Sequence, residues 1–252
     1  MQADEDQPLR DDIRLLGRLL GETVREQEGD AVYSVIERIR QISVHLSQGS
    51  DASADATRRL ALDELLNELP RDTMISVVRA FSYFLHLANV AEDLHHIRRY
   101  RAQIRAGNHA QEGSLRHTLD RLQAGGIEQE RIHAFFASAL VSPVLTAHPT
   151  EVSRKCILQC HHEIAQLLER RDREALTPEE DEENDGELRR AVLRLWRTRM
   201  LRPSRLAVVD EIRNGISFFD DTFFRELPRL YSQLHDQLAR RFPESTWELP
   251  PF

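Results

Sequence analysis

Residues 72–106 run without a proline or a glycine. Within them Met74, Val77, Val78, Phe81, Phe84, Leu85, Ala88, Ala91, Leu94 and Ile97 recur at three- and four-residue steps. That period predicts one continuous helix, more than twice as long as the usual globular helix of about 11–12 residues. A rod of that length covers its apolar stripe only inside an extended bundle, so the stretch predicts a mostly α fold. Composition agrees: 10 glycines in 252 residues is low, and β-branched residues are sparse outside helical patterns.

The rest of the chain repeats the pattern in shorter pieces. Residues 1–10 are expected to form a loose tail. Ile13, Leu16, Leu19, Leu20 and Val24 then mark an amphipathic helix with Asp11 or Asp12 as its N-cap. Val32, Val35, Ile36, Ile39 and Ile42 mark a second helix over 31–47, and residues 49–55 read as a polar connection. Leu60 to Leu69 make a third helix that ends at Pro70. Shorter helices are expected near 115–123 and 127–139. Thr177-Pro178 is a cap followed by proline at the first helical position, opening a helix that Pro203 ends. A further helix is expected through Val208, Ile212, Ile216, Phe219 and Phe223, and a last one introduced by Pro228. The stretch from Trp247 to Phe252 is turn-rich and reads as though more chain were about to follow.

One segment breaks the helical rhythm. Pro143-Val-Leu-Thr-Ala-His-Pro149 is bounded by prolines and too short for a helix, and the residue before a proline is pushed toward extended geometry. His148 is therefore expected at a strand-to-helix junction, with Thr150 capping the helix that follows and Glu151 in its first turn. A short strand ending in a polar side chain is how α/β barrels present active-site groups. A histidine titrates close to neutrality, as general acid–base work requires. Arg154 and Lys155 lie about one helical turn further on and are suited to steering an anion toward it. The alternative is a histidine satisfied by hydrogen bonds in a tight turn.

Other clusters favour structural readings. Cys156 and Cys160 share a helical face, but His161 and His162 diverge and no second ligand pair follows at zinc spacing, so packing is preferred and no metal ligand is assigned. The basic run from His95 to Arg101 reads as a solvated face or an ion-pair set, and the acidic run 179–185 as a solvated helix start. Arg202, Arg205, Asp210, Glu211 and Arg213 mix charges beside aromatics, fitting either a polar interior or subunit interface, or else a surface ion-pair ladder.

The bulk numbers exclude some classes. The N-terminus is acidic and polar, unlike a secretory signal, and no stretch is read as approaching the roughly 20 apolar residues of a membrane helix. Two cysteines fit a reducing cytosol. A net charge of −8 argues against a general nucleic-acid binder.

The run from Val144 to Arg154, VLTAHPTEVSR, resembles the first signature of the phosphoenolpyruvate carboxylase family. Leu15–Gly21, Phe81–Glu92, Leu195–Thr198 and Arg202–Gly215 are similar, in order, to further motifs of that family's N-terminal part, with Ser204-Arg205 where Thr-Pro is commoner. The resemblance implies an N-terminal fragment of a much longer enzyme of the bacterial type. It implies the helical N-terminal part of an α/β (TIM-type) barrel, with residues 1–140 as a helical region and 141–252 as the start of the barrel, residues 143–148 supplying one short strand. It implies a lyase that carboxylates phosphoenolpyruvate with bicarbonate, giving oxaloacetate and phosphate to feed the tricarboxylic acid cycle. His148 would be the catalytic base, Arg154 a supporting cation, and Mg²⁺ or Mn²⁺ would be held by residues outside this fragment. The family further implies a cytoplasmic, allosteric homotetramer, with no nucleic-acid or membrane partner. A non-catalytic helical interaction module is the competing reading.

Overall fold

Leu16, Leu19, Leu20, Thr23 and Val24 form one buried stripe on the first helix, α1 (Gln7–Glu28). Burying that stripe is the commonest reason an amphipathic segment stays helical. The computed structural model describes residues 5–48, 52–107, 112–140, 142, 155–173, 175–200, 207–247 and 249. All elements among them are helical. In chain order α1 is followed by α2 (Asp30–Gln48), α3 (Ala52–Asn67), α4 (Arg71–Arg105), α5 (Leu115–Ala124), α6 (Gln129–Ser138), α7 (Lys155–Arg173), α8 (Pro178–Arg197), α9 (Val208–Phe218), a π-helical turn (Phe219–Phe223) and α10 (Phe224–Arg241). No strand occurs among the described residues; the predicted strand 143–148 and the Thr150 cap lie outside them.

The chain forms two compact units, Met1–Ile97 with Arg154–Leu201, and Arg98–Ser153 with Arg202–Phe252. In the first, α1, α4, α7 and α8 share one core containing Leu16, Leu20, Tyr83, Leu87, Ile164 and Trp196. Gly29 turns α1 into α2 at φ 90°, a left-handed conformation that costs glycine nothing, and its N–H closes α1 on the Arg25 carbonyl at 3.0 Å. Gly17 lets α1 approach α4: a Cβ there would lie 3.3 Å from the Phe84 ring.

Several boundaries move from their expected places. α1 begins at Gln7 with Pro8 in its first turn, so residues 7–10 are helix rather than tail, and neither Asp11 nor Asp12 is the cap. α3 begins at Ala52, inside the expected polar connection, and α8 ends at Arg197 rather than at Pro203. Pro228 does not open a helix. It lies inside α10, where it leaves the Phe224 carbonyl without its usual donor, just after the π turn.

α4 matches its predicted length, but its buried face is rotated. Ser76, Val77, Ala80, Tyr83, Leu87, Val90, Ala91, Leu94 and His95 are buried, whereas Met74, Val78, Leu85 and Ile97 are exposed. Among the described helices α4 is long and apolar enough, by length and composition, to cross a membrane, contrary to the sequence expectation. Its buried stripe belongs to the core of the first unit.

The second unit has a smaller core of Leu119, Ile132, Leu238 and Trp247, packed with Leu122, Phe136, Leu234 and Phe242. Arg241 at the end of α10 pairs with Asp120 on α5. Trp247 is buried, with its ring stacked on His133 at 4.0 Å and 2°, so the turn-rich C-terminal stretch is anchored at that residue.

Candidate functional site

His148 and Arg154, the two residues singled out for chemistry, lie outside the described residues, as do Arg202 and Arg205. What is described is the helical frame to which both segments connect: α7 begins at Lys155, directly after Arg154, and α8 ends at Arg197, five residues before Arg202.

α7 and α8 form an antiparallel hairpin. Arg171 bonds Asp185 at 2.7 Å, Asn184 Nδ2 donates to the Leu167 carbonyl at 3.3 Å, and Arg194 bonds Glu163 at 2.7 Å. Continuing that register brings the first turn of α7 beside the last turn of α8. Thr177 and Glu180 close a capping box at the start of α8. Its hydrogen bonds with Thr177 hold the Glu180 carboxyl below its ordinary value. The acidic run is thus the capped start of a helix, with Asp181 and Asp185 both directed to Arg171 at 3.7 and 2.7 Å.

At the far end of α8 the last carbonyls need donors from outside the helix, and α4 supplies them. Arg79 Nη2 donates to the Trp196 carbonyl at 2.6 Å, and its guanidinium lies over the Trp196 ring at 4.3 Å. The Tyr83 hydroxyl donates to the Thr198 carbonyl, and the Tyr83 and Trp196 rings are 5.7 Å apart. Glu28 completes the group, 3.6 Å from Arg79 and accepting from Ser76 Oγ at 3.0 Å. Burial, as the largest cause, pushes the Tyr83 hydroxyl above its ordinary pKa, and the Cys156 and Cys160 thiols of α7 act in the same direction. The sequence reading missed this arrangement. Its signal was an arginine and a tyrosine four residues apart within an apolar stripe.

His86 of α4 meets His161 of α7 with ring centroids 5.0 Å apart and planes tilted by 37°. Burial, then the neighbouring His86, brings His161 down to about 4, and burial lowers His86 as well. Both are neutral at physiological pH. Cys160 is buried, its thiol pushed up by burial, while Cys156 is exposed; a protonated buried thiol is a packing group. Among the described residues no three His, Cys, Asp or Glu side chains converge as a metal site. His95 opens the basic run but faces inward, buried, with Nε2 3.4 Å from Asp6. Asp210 accepts from the Ala207 N–H at the start of α9 at 3.4 Å, and Glu211 and Arg213 are exposed.

Among the described residues of the first unit, Glu28, Ser76, Arg79 and Tyr83 thus gather around the last turn of α8. Comparisons with known proteins identify the family. The family profile of phosphoenolpyruvate carboxylase matches residues 9–252. The chain is 58% identical over 253 residues to a phosphoenolpyruvate carboxylase of Aromatoleum aromaticum, covering 100% of this chain and 27% of that protein. It is 56% identical over 254 residues to one of Azoarcus sp., with the same coverage. It is 49% identical over 249 residues to one of Nitrosomonas europaea, covering 99% of this chain and 26% of that protein. The chain belongs to the phosphoenolpyruvate carboxylase family, and it spans about a quarter of the length of these relatives.

Proposed function

We propose that this chain is the N-terminal part of an enzyme that carboxylates phosphoenolpyruvate with bicarbonate, and that His148 is its catalytic base. The observation that carries the reading is the run Val144–Arg154, with a histidine and a cation at family-specific spacing, in a chain that belongs to that family from residue 9 onward. A bicarbonate oxygen attacks the phosphorus of phosphoenolpyruvate and the bond from phosphorus to the enol oxygen breaks, leaving carboxyphosphate and the enolate of pyruvate. His148 takes the carboxyphosphate proton. The C–O bond to phosphate then breaks, releasing CO₂ and phosphate, and the enolate carbon attacks CO₂ to give oxaloacetate. A base that titrates near neutrality suits that proton transfer. Arg154, a helical turn away in sequence, is assigned as a supporting cation for the anionic reactants.

The Mg²⁺ or Mn²⁺ that the family implies does not fit the described residues, among which no cluster of three ligating side chains exists. Its ligands are assigned to the part of the enzyme beyond this chain. A TIM-type barrel beginning within residues 141–252, a homotetrameric allosteric assembly, a cytoplasmic location and anaplerotic supply of the tricarboxylic acid cycle belong to the same reading and rest on the resemblance.

The test is His148→Asn in the full-length carboxylase carrying this segment. Asparagine keeps the size but cannot take the proton. Oxaloacetate formation is expected to disappear while the protein stays folded. Near-normal turnover would overturn the assignment.

A further inference from the structure

We propose that His86 and His161 form a two-histidine site for a nitrogen-preferring divalent transition metal, of the class of Zn²⁺, Ni²⁺ and Cu²⁺, joining α4 to α7. The proposal does not depend on the role assigned to His148.

Both rings stand on helices held in the core of the first unit. Leu87 follows His86 and is fully buried, and Ile164, three residues after His161, is fully buried too. The backbone beneath each ring is thus fixed by packing, as the ligands of a metal site require. The rings do not stack. His133 and Trp247 show stacking in this chain, with centroids 4.0 Å apart and planes 2° apart. His86 and His161 are 5.0 Å apart and tilted by 37°. That is close to the spacing of two imidazoles on one tetrahedral ion. A zinc–nitrogen bond of about 2.0–2.1 Å puts the ion about 3.2 Å from each ring centre, and an angle of about 109° then separates the centres by about 5.2 Å.

The His161 ring supplies a second observation. Its Nε2 is buried and has no hydrogen-bond partner among the described residues. A polar atom left in that state is costly, and native proteins pair it with a neighbour, a water or an ion. His86 and His161 are each only partly buried, so an ion can reach them from solvent. Imidazole suits Zn²⁺, Ni²⁺ and Cu²⁺, whereas Mg²⁺ takes oxygen ligands. Among the described residues no third His, Cys, Asp or Glu converges on the pair. Water therefore fills the remaining positions, and the site holds the metals that bind nitrogen most tightly.

The test uses the full-length carboxylase carrying this segment, stripped of metal by chelation, with Zn²⁺ alone as the probe and peptide-resolved amide exchange as the readout. In the unmodified enzyme Zn²⁺ is expected to slow exchange in α4 around His86 and in α7 around His161. Mg²⁺ at the same concentration should leave both helices unchanged. His86→Gln should abolish the slowing in both and weaken this Zn²⁺ site at least about tenfold, since even the loss of an outer partner of a metal ligand costs that much. His161→Gln carries the same comparison should His86→Gln not fold. Exchange in α4 and α7 that Zn²⁺ leaves unchanged in the unmodified enzyme overturns the proposal without any variant. Slowing that Mg²⁺ reproduces, or that persists in a folded variant, overturns it as well, because other groups then hold the ion.

Discussion

His86 and His161 face each other across α4 and α7 with ring centroids 5.0 Å apart, and the buried Nε2 of His161 has no hydrogen-bond partner among the described residues. Burial, reinforced by His86, sets His161 at about 4, well below the unfolded value of about 6.5. The sign of the linkage follows. Above about pH 6.5 neither the folded nor the unfolded chain is protonated at this ring, so it adds no pH dependence there. Between 6.5 and about 4 the unfolded chain binds a proton that the folded chain refuses, so stability falls as pH falls, levelling off below about 4. Glu37 and Glu180, whose carboxyls are both held below their ordinary values by hydrogen bonds, act at lower pH. His161→Phe is therefore expected to flatten the loss of stability between pH 6.5 and 4.5 specifically. Urea midpoints measured across that range check it, and an unchanged slope would refute it.

Arg79 is the next point of leverage. Replacing it with methionine keeps much of the stem but removes the 2.6 Å hydrogen bond to the Trp196 carbonyl and the guanidinium over the indole. The carbonyl at the end of α8 is left to find water or go unpaired. A charged hydrogen bond and a partly desolvated cation–π contact together predict a loss of about 2 kcal/mol. Urea unfolding followed by tryptophan fluorescence measures it, and the folded-state emission of Trp196 should shift to longer wavelength as the ring loses its cover.

The helix inventory was legible from the chain because periodicity and punctuation are local. Residues 72–106 were predicted as one helix and α4 covers 71–105; Thr177-Pro178 announced a capped start and made one. Which side of α4 is buried was not legible. The helix carries two apolar stripes, and only the tertiary partners decide that Tyr83 and Ala80 go inward while Val78 and Leu85 stay outside. Pro228 misled for a related reason: a proline is a start signal only when nothing upstream is already helical, and the π turn at 219–223 feeds directly into α10. At the site the balance reverses. The eleven residues 144–154 pointed to a function through their specificity as a string, whereas Arg79, Tyr83 and Trp196, far apart in sequence, gained meaning only once packing brought them together.

The capping box at Thr177 gives a clean local test. Its hydroxyl accepts from the Glu180 N–H at 3.3 Å, and the Glu180 carboxylate accepts from the Thr177 N–H at 2.9 Å. Thr177→Ala removes the first bond and the side-chain part of the second residue's anchoring, for a cost of about 1 kcal/mol. Thr177→Ser should be close to neutral, because serine caps as well as threonine. Thermal or urea midpoints of the two variants check the pair, and equal destabilisation by both would show that the methyl group, not the hydroxyl, matters there.

In the second unit the corresponding test is Trp247. Its ring stacks on His133 at 4.0 Å with planes 2° apart and packs against Phe242 at 5.6 Å, sealing a core whose other buried apolar members, among the described residues, are Leu119, Ile132 and Leu238. A small core has few neighbours able to close over a lost indole, so the cavity term stays large. Trp247→Ala is expected to cost about 3–5 kcal/mol, enough to release the stretch after α10 and to expose α5 and α6. Amide exchange in α5, α6 and α10 should quicken while α7 and α8 of the first unit keep their protection, because the two cores share no buried residue. Uniform quickening across both units would instead mean that they unfold as one.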